Sequence, residues 1–223
     1  MKKFIIAALA AVLAFTSCSL LNDPTFSLTN ASAYLNCKDG KLITDGGTLL
    51  TVTADASDGK WNAEGNRMFA LFDVLNANYD ITLRSYYLAT IQNAVKDSEP
   101  AGTPGDPITI LDCSLSGIYL NILMEYYVKK GSETPHNMNL YWSDDSRTIT
   151  FVLVHDGGGE SLVTLPASDM ERTVACYSFP INALLDAGET RTLQLTINAL
   201  VKGDSSYTAE SFTYSLYGSG VTF

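Results

Sequence analysis

Several residues have the types and spacing for chemistry, and the first of them is near the start. Thr16-Ser17-Cys18 puts small residues directly before a cysteine, at the end of an unbroken apolar run from Phe4 to Phe15. Lys2 and Lys3 stand ahead of that run. A positive start, a short apolar stretch and small residues before a cut make an export signal. The run is too short to span a bilayer, which takes roughly 20 apolar residues. Cleavage before Cys18 would leave a thiol and an amine on one residue, and acyl chains on both would hold the chain at a membrane, since two chains anchor stably where one does not. Segment 1–17 is therefore expected to be a lipoprotein signal peptide, Cys18 the lipidated residue, and 18–30 a tether. The rival reading is an ordinary signal peptide with Cys18 incidental. Ser19 follows in place of an inner-membrane-retaining aspartate, so a cell-envelope location at the outer membrane is expected, on either face.

The second candidate is His155-Asp156-Gly157-Gly158-Gly159-Glu160, where a His, an Asp and a Glu surround three glycines. Such a string could hold a metal, although a zinc site wants three or four ligands at fixed spacing. The plainer reading is a strand running into a loop whose glycines supply positive φ. His136, the other histidine, could approach His155 across an intervening hairpin. Nucleophile chemistry has little to start from. No G-x-S-x-G occurs, and the glycines follow a strand without opening a helix, so no phosphate loop is read. The 24 acids guarantee carboxylate pairs by number alone, so a glycosidase dyad cannot be argued from them. No catalytic residue, cofactor ligand or metal ligand is expected.

Cys37, Cys113 and Cys176 remain besides Cys18, at wide spacing and without a CxxC pair. Three unpaired, buried thiols are favoured over a Cys113–Cys176 bridge, because a cysteine in an apolar strand behaves as a small hydrophobe. Twelve tyrosines are the remaining oddity, with Tyr86-Tyr87 and Tyr126-Tyr127 as neighbours. Exposed aromatics on a β surface can stack on sugars or fill a partner's pocket, whereas tyrosine also simply suits half-buried strands.

The elements that must position these residues read as strands throughout. Period-two alternation recurs, as in Tyr79, Ile81 and Leu83, in Leu120, Ile122 and Met124, and in Leu193, Leu195 and Ile197. Asp39-Gly40 and Asp45-Gly46-Gly47 are hairpin signals. Glu99 to Pro107 holds three prolines and two glycines, a composition that cannot form the interior of an element. The expected class is all-β, with a small barrel over 31–98, a linker at 99–107 and an immunoglobulin-like β-sandwich over 108–223. The net charge is −10, and loss of Lys2 and Lys3 makes the mature chain two charges more negative. An acidic surface without a basic stripe repels nucleic acid and anionic headgroups.

One set of residues carries a resemblance. Asp106-Pro107-Ile108, Ser116-Gly117-Ile118-Tyr119-Leu120-Asn121, His136-Asn137-Met138-Asn139-Leu140 and the strand ending Val154-His155 resemble the NigD-like lipoproteins of the Bacteroidota. That resemblance implies an N-terminal OB-like barrel and a C-terminal β-sandwich, and no defined catalytic activity. The family name comes from association with a bacteriocin locus. The expected function is a non-catalytic envelope lipoprotein, attached to the membrane through lipid on Cys18, that binds an envelope protein or glycan and no nucleic acid. The alternatives are a bacteriocin-associated protective lipoprotein and a carboxylate-dependent hydrolase.

Overall fold

The computed structural model describes residues 28–56, 59–96, 105–145, 147–184, 191–204 and 206–216. Segment 1–17, expected to be a signal peptide, and Cys18 lie outside the described residues. Five strands make the first half: β1 Leu28–Lys38, β2 Lys41–Thr44, β3 Leu49–Asp55, β4 Arg67–Val74 and β5 Asp80–Ile91. Their order is β3-β2-β1-β4-β5, and β3 also pairs with β5 in parallel, so the sheet closes on itself. Closure in this order gives the OB-like barrel. Asp39 and Gly40 both have positive φ, 51° and 69°, as a two-residue turn between β1 and β2 requires. Leu35, Leu42, Met68, Ile81 and Leu83 fill the interior. Trp61, on the 3-10 turn Lys60–Asn62, is buried against them and donates its Nε1–H to Asp55 at 2.7 Å.

The second half is a sandwich. Its strands are β6 Val95–Lys96, β7 Thr109–Ser116, β8 Tyr119–Lys129, β9 Asn137–Asp144, β10 Thr148–Asp156, β11 Met170–Pro180, β12 Thr192–Lys202 and β13 Tyr207–Leu216. One sheet runs β13-β12-β10-β9-β6; facing it, β7, β8 and β11 continue directly into β5. Alternation explains the core between the sheets. Leu120, Ile122 and Met124 of β8 meet Ile149, Phe151 and Leu153 of β10 and Leu195 and Ile197 of β12.

The two halves share a strand. β5 pairs with β4 and β3 in the barrel, then its end, Ala89–Ile91, pairs with Cys176–Ser178 of β11. β6 pairs with β9. Ala89–Ile91 and Val95–Lys96 therefore lie in the sandwich sheets, ahead of the proline-rich segment. At the end of that segment, Gly105 bridges to His155 and Ile108 to Ala199. The residues opposite the core face of β8 are not a solvent face. Leu123 and Cys176 pack on Tyr34 and Phe69 of the barrel, and Asn121 is fully buried.

Asn121 belongs to a polar cluster that joins the halves. Arg67, 1 % exposed at the head of β4, holds Asp45 with two bonds of 2.6 and 2.7 Å. It also donates to Asn36 at 2.9 Å, to Asn121 at 2.9 Å and to Ser178 at 2.9 Å. Its guanidinium lies 4.0 Å from the ring centre of Tyr119. Ser116 donates to Asp45 from the sandwich side. A buried cation is tolerated only when paired and hydrogen-bonded, and here the partners come from both halves.

Candidate functional site

The hairpin of β9 and β10 brings His136 and His155 together, with Nδ1 of His136 and Nε2 of His155 2.9 Å apart. Tyr126 packs its ring on both imidazoles. The glycine loop sits directly over them. A Cβ at Gly157 would lie 2.6 Å from His136 Nδ1, so only glycine leaves room for the pair. Asp106 accepts the backbone N–H groups of Gly157 and Gly159 at 3.0 and 2.9 Å and ties the loop down. The loop is not a hairpin, since it carries the chain from β10 across to β11 in the other sheet.

His155 is 1 % exposed. Burial, with the neighbouring His136 second, pulls its pKa down to about 4, against the opposing pull of Asp106 and Asp156. Glu160 is held down to about 2 by the Ser132 hydroxyl and then by the Lys129 backbone N–H. Its carboxylate is 3.5 Å from His136 Nε2. Ser132 thus bonds to Glu160 and not to either histidine of this corner. Among the described residues no three His, Cys, Asp or Glu side chains converge as a metal site. The two rings pack together beneath the glycine loop at the end of the sandwich, with the His155 ring buried.

Cys37, Cys113 and Cys176 are free thiols. Burial pushes Cys113 and Cys176 up to about 12, which keeps them as inert thiols at neutral pH.

A second place is open. β5 leaves β11 at Ala89 to enter the barrel, and the two strands diverge around a cleft of about 680 Å³. Tyr86, Tyr87, Leu88 and Thr90 of β5 line one side; Val174, Ala175, Cys176 and Tyr177 of β11 line the other. Lys60 and Arg84 stand at the barrel end. Tyr87 and Leu88 are 39 % and 45 % exposed. Arg84 holds Asp73 at 2.6 Å. No carboxylate or histidine is among the lining residues. Sequence reading singled out Tyr86-Tyr87 but had no means to pair them with Val174–Tyr177. It missed Arg67 altogether, although an arginine heading the apolar run Met68-Phe69-Ala70-Leu71-Phe72 was a usable signal of a buried charge.

A family model described as the NigD-like C-terminal beta sandwich domain matches residues 88–211, more than half of the chain. No curated protein matches it. Three solved structures share the fold at low identity. A NigD-like immunity protein from Bacteroides caccae is 19 % identical, covers 83 % of this chain and 96 % of its own, and has a TM-score of 0.55. A protein of unknown function from Bacteroides vulgatus is 18 % identical over 89 % of this chain and 94 % of its own, at 0.57. A protein from Bacteroides fragilis provisionally named a lipoprotein is 13 % identical over 86 % of this chain and 100 % of its own, at 0.55. With the sandwich in place and the family model spanning it, the chain belongs to the NigD-like family.

Proposed function

We propose that this chain is a non-catalytic lipoprotein of the cell envelope, anchored at the outer membrane through Cys18, which binds its ligand in the cleft between β5 and β11. The observation that carries the binding role is the cleft itself. It exposes Tyr87 and Leu88, with Tyr86 and Tyr177, which pack on the barrel and sandwich cores, at its margins and two cations beside them. Aromatic groups in a concave site bind through contact area and orient a ligand with a polar tip. Hydrolysis by paired carboxylates would need two such groups facing the substrate, and the lining supplies none. The Arg67 cluster supports a preformed site, because it holds barrel and sandwich in one arrangement before any ligand arrives.

A photoreactive amino acid in place of Tyr87, in the membrane-anchored protein in cells, should crosslink to a defined envelope component. The same group in place of Phe212, 43 % exposed on the outer strand β13, should not. Equal labelling at both positions would sink the cleft as the site. The likeness to the immunity protein of Bacteroides caccae favours a second reading, a bacteriocin-associated protective role. Cells expressing this chain would then survive a bacteriocin that kills cells carrying an empty vector.

A further inference from the structure

We infer that the cleft takes an extended peptide segment, which adds as a strand to the exposed edge of β11 between Met170 and Ala175. This rests on the cleft being the binding site and names the class of its ligand. β11 pairs with β8 along its whole length, from Met170 to Pro180. On its other edge it pairs with β5 only from Cys176 to Ser178. Among the described residues no strand covers that edge from Met170 to Ala175.

The backbone groups there point the right way. Along a strand, successive residues direct their N–H and C=O to opposite edges. The Ser178 carbonyl accepts the Gln92 N–H at 3.2 Å on the β5 side. By alternation from Ser178, Val174 and Arg172 direct their N–H and C=O to the same side. A segment laid along this edge would extend the short ladder that β5 has already begun. Main-chain bonds would supply affinity, and the side chains around the cleft would supply selectivity. Tyr87 and Leu88 form the opposite wall, where alternate side chains of an incoming strand would rest.

The position of this edge decides what can reach it. Ala56 and Lys60 of the barrel half line the same cleft as Val174 and Ala175 of that edge. A single extended segment needs room there for one strand only. Charge selects further. The cleft is lined by Lys60 and Arg84 without an acid, Arg172 lies on the receiving edge, and the chain as a whole has a net charge of −10. Arg84 and Arg172 hold Asp73 and Glu125 at 2.6 and 3.3 Å, so the bias toward an acidic segment is local and salt-sensitive.

The test selects random displayed peptides against the full chain without its signal segment, then follows the best synthetic peptide by residue-resolved amide exchange. Enriched peptides should alternate apolar residues with Asp or Glu and lack proline. On binding, the amides of Arg172 and Val174 should exchange more slowly, N-methylation of alternate peptide residues should abolish binding, and Tyr87→Ala should weaken it about tenfold, as loss of an aromatic anchor does. No enrichment, or a peptide that binds without slowing those two amides, overturns the strand mode. Soluble peptidoglycan fragments serve as the competing probe. If they bind and lose binding in Tyr87→Ala while no peptide does, the cleft stands as the site and the peptide is wrong. If no probe responds to Tyr87→Ala, the cleft reading falls as well.

Discussion

His155 shows how a residue type that suggests a ligand can be committed to structure. Its Nε2 faces Nδ1 of His136 at 2.9 Å in a buried corner, and among the described residues no group of three potential ligands forms there. The cost of charging it is a folding property. Its ordinary pKa of 6.5 is pulled to about 4 in the fold. Between those values the unfolded chain binds a proton that the folded chain refuses. Stability is therefore full above pH 6.5 and falls as the pH drops toward 4, by at most about 1.4 kcal/mol per pH unit for this group. Urea unfolding at a series of pH values should show that slope, and His155→Gln should reduce it while lowering stability at pH 7. An unreduced slope in the variant would assign the effect to other groups. Gly157→Ala should break the same corner from above, because its Cβ would intrude on the His136 ring; about 1–3 kcal/mol of destabilisation is expected for such overpacking, read by the same titration. Arg67 carries more. Removing one partner of a buried ion pair costs about 3–5 kcal/mol, so Arg67→Ala should lower the unfolding free energy sharply, and Arg84→Ala, on an exposed pair, should lower it by about 1 kcal/mol or less.

At the scale of elements, β5 is the decisive piece. Its sequence alternates well from Tyr79 to Leu88, and the strand is legible from that pattern alone. Its change of partners is not, because pairing depends on residues far along the chain: Thr51–Asp55 first, Cys176–Ser178 later. A boundary at 99–107 rests on the prolines, which mark where regular structure stops; which strands fold together is a separate question. Ala89–Ile91 and β6 lie in the sandwich sheets, and the family model starts at residue 88. A fragment from Leu88 to Phe223 should therefore melt cooperatively, whereas Asp106 to Phe223, stripped of the β5 end and β6, should melt earlier or without cooperativity. Circular dichroism melts of the two fragments decide this. Equal stability would place the boundary in the proline-rich segment, at 99–107.

For the whole molecule, the proposed anchoring and the proposed binding can be tested apart. Cys18→Ala should release the chain from the membrane pellet into the soluble fraction, and the cleft should keep its ligand; a variant still in the pellet, or a mature N-terminus elsewhere than Cys18, would end the lipid-anchor proposal. The local chemistry of the chain was open to reading without a fold. Alternation dictates strands because side chains on a strand face opposite ways at each step. Asp39-Gly40 dictates a tight turn because its residues tolerate positive φ. The cysteines in apolar strands were readable as unpaired thiols for the same local reason. What only the tertiary structure decided is which faces meet. The face of β8 bearing Tyr119 and Asn121 carries polar side chains, yet it closes over Arg67 from the barrel. The cleft arises where two strands, 80s and 170s in the chain, pair briefly and then part. Local pattern sets the conformation of each segment, whereas closure, sharing and divergence of strands follow from long-range pairing, which no local pattern encodes.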